Sequence, residues 1–161
     1  MDGALVMIQI LNGLQLGVLL FLLAAGLTLV FGIMDFINLA HGAFYMLGAF
    51  ICATLAIWLD SFVIAVFLAV PITFVIGVVV ELGIARQLYQ ADHLEQILAT
   101  FGLILIADTL VQMIWGPEGM TFALPEVLNG QVRLFYGVEF PVYRVLIISV
   151  GLLVALALYL V

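Results

Sequence analysis

Residues 34–50 read Met-Asp-Phe-Ile-Asn-Leu-Ala-His-Gly-Ala-Phe-Tyr-Met-Leu-Gly-Ala-Phe, with Asp35, Asn38 and His41 at intervals of three. On either side lie long runs without charge: no Asp, Glu, Lys or Arg occurs from Gly3 to Met34, from Phe36 to Leu59, or from Ser61 to Val80. A membrane-spanning helix needs about 20 predominantly apolar residues, so each run is long enough to cross. Polar groups between such runs are costly in lipid unless they face protein, water or a ligand. The fold class that follows is all-α: a polytopic integral membrane protein of about five transmembrane helices, with a discontinuous region near residues 32-41.

Composition points the same way. The chain is 68% hydrophobic and 8% charged, with a mean hydropathy of +1.44, which leaves too little polar surface to cover a soluble domain. A net charge of −7 with three basic residues offers no surface for phosphate backbones, so no nucleic acid partner is expected. Cys52 is the only cysteine and lies in an apolar run, which excludes an internal disulfide and a thiolate metal site. The two histidines, His41 and His93, form no ligand cluster with metal spacing, so no metal is expected. The first apolar run is too long for a signal-peptide core and no Lys or Arg precedes it, so it is expected to stay as a membrane helix.

Spans are predicted at roughly Leu5–Phe31, Ala40–Trp58, Phe62–Ala85, Gln96–Trp115 and from Pro141 to the last residue. Gly13 and Gly17 stand four apart in the first span, a spacing that lets helices pack closely. Gly48 belongs to a small-residue surface in the second. Gly32 can end the first helix, and Asp35 or Asn38 can cap the next. Pro71 should remove a backbone hydrogen bond from the third span and kink it. Trp58 and Asp60 mark an exit to the interface. Pro125, Asn129-Gly130 and Gly137 signal turns in the loop after Trp115, where Val132–Phe135 and Val138–Phe140 are a possible hairpin. Arg86 lies on one side and Arg133 and Arg144 on the other, so positive charge does not choose an orientation.

The polar residues inside the apolar runs are the candidate site. Asp35, Asn38, His41 and Gly42 surround the break, where an exposed half-helix N-terminus attracts carboxylates. Asp35 and Asn38 also suit plain capping of a helix, and His41 a structural hydrogen bond. Asp108 and Gln112, four apart and mid-span, share one helix face and serve either a pathway or a helix–helix hydrogen bond. No nucleophile–base pair stands out, and the chain has no lysine and no phosphate-binding Gly-rich loop, so no enzyme activity is expected.

Taken in order, Gly26-Leu-Thr-Leu-Val-Phe-Gly32, Asp35-Phe-Ile-Asn38-Leu-Ala-His41-Gly42, Asp92-His93-Leu94, Ile97-Leu-Ala-Thr100-Phe-Gly102 and Trp115-Gly-Pro117-Glu118 resemble the LivH-type permease of branched-chain amino acid ABC importers. The resemblance implies a multi-pass bacterial inner-membrane subunit that passes leucine, isoleucine and valine inward by alternating access. It implies as partners a second, LivM-type permease, two ABC ATPase subunits that bind ATP and Mg, a periplasmic amino-acid-binding protein, and membrane lipid. The chain itself then needs no cofactor. It also implies a cytoplasmic Arg86–Glu95 connection and a periplasmic Gly116–Phe140 loop. Family members are nearly twice as long, and the last span is still apolar at Val161, so residues 1-161 read as the N-terminal part of a single permease domain. Two other readings fit the same residues: a permease for urea or short amides, and a truncated assembly subunit that does not transport.

Overall fold

Five helices long and apolar enough to cross a membrane organise the chain in a computed structural model, which describes residues 3–120, 125, 128–133 and 139–160. They are α1 (Gly3–Met34), α2 (His41–Leu59), α3 (Phe62–Gly83), α4 (His93–Trp115) and α5 (Val142–Leu160). A 3-10 turn, Ala85–Leu88, lies between α3 and α4, and two short strands, β1 (Gln131–Arg133) and β2 (Glu139–Pro141), precede α5. The chain folds as two compact units. One holds α1 through Ala25 with the hairpin and α5; the other holds α1 from Gly26 with α2, α3 and α4.

In the larger unit α2 and α3 form the most extensive helix pair, an antiparallel hairpin turned by Asp60 and Ser61. Asp60 closes α2 in the left-handed conformation, with φ 48°. Ala43 and Ala53 on α2 and Ala65 and Ala69 on α3 are buried. Lipid gives no hydrophobic reward for helix association, so close approach over small side chains supplies the packing. Large apolar residues such as Phe67, Phe74 and Met113 point outward, as a lipid-facing surface requires. Helix α3 runs unbroken through Pro71 from Phe62 to Gly83. At the far end of the unit the Trp115 indole N–H donates to Thr54 Oγ1 at 2.7 Å, and the Trp115 ring lies 5.3 Å from that of Phe50, which ties the end of α4 to α2. Gly116, at φ 86°, then ends α4 ahead of Pro117.

In the smaller unit the Arg144 guanidinium donates to Asn12 Oδ1 and lies over the rings of Phe140 and Tyr143. Phe140 is buried. Strands β1 and β2 pair antiparallel with Val132 opposite Phe140 and Arg133 opposite Glu139, and Arg133 Nε–H donates to Glu139 Oε1 at 3.3 Å. The antiparallel pairing expected of Val132–Phe135 with Val138–Phe140 is present among the described residues at Val132, Arg133, Glu139 and Phe140, and it also takes in Gln131 and Pro141. Phe135, Gly137 and Val138 lie outside the described residues.

Several helix boundaries shift by one to three residues from the sequence expectation, and three of the shifts bear on the site. Helix α1 passes through Gly32 to Met34, and Asp35 ends it, with φ 50° and its N–H donating to Phe31 O at 2.9 Å. Backbone groups in lipid must be satisfied internally, which favours continuing the helix through a glycine. Helix α3 stops at Gly83 rather than Ala85, because the chain tightens into the 3-10 turn. Helix α4 begins at His93, one turn before Gln96.

Candidate functional site

Between the Asp35 N–H, which still donates to Phe31 O, and the Ala40 carbonyl, which accepts from Phe44, the chain leaves the helical ladder, so buried backbone groups there need other partners. Helix α4 supplies two of them. Gln96 Oε1 accepts the Ile37 N–H at 3.0 Å, and Thr100 Oγ1 accepts the Leu39 N–H at 3.3 Å. Both side chains are almost wholly buried, Gln96 2% and Thr100 1% exposed. The Gln96 amide nitrogen donates to the Leu88 and Ala91 carbonyls, each at 3.2 Å. The Thr100 hydroxyl donates to Gln96 O at 2.7 Å. Phe36 is buried and meets the Tyr89 ring edge-on at 5.3 Å.

Asn38 Oδ1 accepts the Ala40 N–H at 3.0 Å, an Asx turn that directs the chain into α2. His41 opens α2 and packs directly on α1: a Cβ placed at Gly26 would fall 2.5 Å from His41 Nε2. The half-buried imidazole borders a groove of ≈ 840 Å³ along α2 and α3, shared with Val30, Phe44, Gly48, Thr73 and Glu81. Thr73 Oγ1 is buried beside Gly48 and makes no hydrogen bond among the described residues. Glu81 closes one end of the groove and its Oε1 accepts the Tyr89 O–H at 3.0 Å. Burial raises the Tyr89 phenol above its usual range, helped by its bond to Glu81 and by that carboxylate's charge, with Arg86 opposing.

The remaining expected residues fall elsewhere. Asp35 is exposed and lies 3.6 Å from His93 Nε2, whose ring approaches Phe31 edge-on at 6.5 Å. Gly42 is exposed, with open space where a Cβ would stand. Gln112 donates to Asp108 Oδ2 at 2.9 Å, so the two share a face as their spacing indicates. That face is exposed, whereas Gln96, Thr100, Ala107 and Val111 form the buried side of α4. Asp108 and Gln112 thus meet each other and not the groove. Gly13 and Gly17 border a smaller hollow with Gly151, and neither has an atom within 4 Å of a built Cβ. The close approach in that unit is Gly151 against Val18. Gly48 does sit at a helix contact, its Cβ position 3.4 Å from Thr73 Oγ1.

Gln96, Thr100, Tyr89 and Gly26 were not singled out by the spacing argument. Gln96 and Thr100 show the same i, i+4 polar pairing as Asp108 and Gln112. At 3.6 residues per turn, the twelve positions from Gln96 to Asp108 rotate a side chain by about 120° around the helix, and periodicity alone does not say which pair faces inward.

The description "Branched-chain amino acid transport system / permease component" belongs to a family whose profile matches residues 9–161. The high-affinity branched-chain amino acid transport system permease protein LivH of Escherichia coli (strain K12) is 31% identical over 132 residues, covering 76% of this chain and 42% of the relative. LivH of Salmonella typhimurium gives the same figures. The permease protein BraD of Pseudomonas aeruginosa is 33% identical over 131 residues, with the same coverage. The chain therefore spans about two fifths of the length of the curated relatives it matches. No solved structure gives a significant match.

Proposed function

The chain belongs to the branched-chain amino acid transport system permease family, and from that premise we propose that it is part of the membrane permease of an ATP-driven importer for leucine, isoleucine and valine in the bacterial inner membrane. The observation that carries the reading is the partly buried, hydrogen-bonded break at residues 35–40 beside an apolar groove. Residues 35–40 join two spans and are held by side chains of α4, and transporters place irregular, protein-held backbone of this kind along their substrate paths. Asn38 and His41 stand where the break enters α2, and His41 continues into the groove. The proposed path offers polar groups to a zwitterion at that mouth and aliphatic walls to its side chain. The chain lacks lysine and any phosphate-binding Gly-rich loop, in keeping with ATP and Mg binding on two partner ATPase subunits. A second permease and a periplasmic binding protein complete the proposed assembly. Binding-protein docking and ATP-driven closure alternate its two states.

The test is uptake of radiolabelled leucine by cells making the full-length permease with its partners. The Asn38→Leu, His41→Leu double variant is expected to reach the membrane in normal amount and to lose most uptake. Normal uptake by that variant removes the assigned role of the break. Competition by valine, with none by urea or acetamide, is the expected specificity; strong competition by urea moves the substrate class to short amides. Membrane insertion and partner association without any uptake would favour an assembly subunit.

A further inference from the structure

We infer that Gln96 is the joint that makes the break at residues 35–40 and the connection at residues 85–92 move as one body. This rests on the proposed transport function, in which the connection faces the cytoplasm and the break lies on the path. A primary carboxamide has one acceptor and two donors, and here each is engaged on a defined side. Oε1 takes the Ile37 N–H of the break, while Nε2 gives its hydrogens to the Leu88 and Ala91 carbonyls of the connection. The partners decide which end is which, since a backbone N–H needs an acceptor and two carbonyls need donors. Thr100 differs: its hydroxyl reaches the break at Leu39 and otherwise bonds only within α4, at Gln96 O and Ile97 O, with a long approach to Ile37 O.

A second tie runs parallel to the joint. Phe36 of the break packs on Tyr89 of the connection, and Tyr89 bonds Glu81 at the end of the groove. Displacing residues 88–91 therefore pulls on Ile37 through one side chain and on Phe36 through another. Gln96 and Phe36 are each 2% exposed, so an amide group left without its partner when one segment moves alone is costly, and the two segments shift together. Gln96 acts through the backbone it holds and is a positioning residue.

The experiment uses the full-length permease assembled with its partners in lipid nanodiscs and reads backbone hydrogen exchange together with leucine transported per ATP hydrolysed. Gln96→Leu is expected to raise exchange about tenfold in residues 35–40 and in 85–92 together, and to lower the transport-to-hydrolysis ratio several-fold while hydrolysis continues. Thr100→Val is expected to raise exchange in 35–40 alone, and Thr100→Ser to restore it. A packing role without coupling would lower transport and hydrolysis in proportion and leave their ratio at the wild-type value. Gln96→Leu raising exchange in one segment only, or in neither, overturns the inference. Should the wild-type assembly move no leucine, the functional reading fails, and the exchange pattern still decides whether Gln96 joins the two segments. Should Gln96→Leu fail to assemble, the near-isosteric Gln96→Met decides: it removes both amide donors and leaves only a weak sulfur acceptor, so exchange is expected to rise in 35–40 and 85–92 together, and an unchanged pattern overturns the joint.

Discussion

At Gly26 the absence of a side chain lets the His41 imidazole lie directly on α1. The built Cβ falls 2.5 Å from His41 Nε2, nearer than any real carbon approaches, so either the imidazole or the helix must give way. Gly26→Val is expected to lower the unfolding temperature of the purified protein, with a cost of about 1–3 kcal/mol for overpacking. His41→Ala in the same chain should recover a large part of that loss, because contacting residues couple in a double-mutant cycle. Strict additivity of the two changes would show that the ring does not occupy this place. Gly26 was legible only as part of the family resemblance, since a lone glycine in an apolar run carries no periodic signal. Gly13 and Gly17 carried such a signal, yet the tight helix contact of their unit falls at Gly151 and Val18, because what lies opposite a glycine is settled by another helix.

The elements meet through a few polar links whose removal should be measurable. Trp115→Phe keeps the ring against Phe50 and removes the N–H that donates to Thr54. The expected loss is about 1 kcal/mol, read as a lower midpoint in SDS or thermal unfolding, and an unchanged midpoint would count against the tie between α4 and α2. Tyr89 links the α3–α4 connection to Glu81 through its protonated phenol, and its pKa is raised, chiefly by burial. A raised folded-state value means the bond contributes fully below the unfolded tyrosine pKa of about 10 and is lost as pH climbs through the higher folded value. Of the five tyrosines, Tyr89 should ionise late, and Tyr89→Phe should delete a late step from the tyrosinate absorbance titration. Deletion of an early step instead would contradict the burial described. The break itself was foreseen from Gly32 and the polar residues after it. Its place within residues 32–41 was foreseen too, but its first residue was not, because the helix continues past Gly32 until Asp35 adopts positive φ.

For the molecule as a whole, five apolar helices whose large side chains face outward require lipid as solvent. The protein should stay in the membrane pellet through an alkaline carbonate wash and enter solution only with detergent. The orientation implied by the family is open to a direct check. In a Cys52→Ser background, Asn129→Cys should react with a membrane-impermeant maleimide on intact cells, whereas Gln90→Cys should react only after the membrane is opened. Both positions are exposed, so the reverse pattern would place the α3–α4 connection outside and the proposed direction of coupling with it.

By itself the sequence determined that the chain spans the membrane with about five helices and breaks between Gly32 and His41. Those properties follow from runs of apolar residues and from the cost of polar groups in lipid, and both are local. The tertiary structure decided which polar residues serve the break. Gln96 and Thr100 turn inward to hold Ile37 and Leu39, while Asp108 and Gln112, with the same spacing on the same helix, face outward and bond each other. Spacing sets which side chains share a face, but the rotation of a helix about its axis is set by what it packs against. Here the unsatisfied N–H groups of a broken neighbour are what α4 turns to meet.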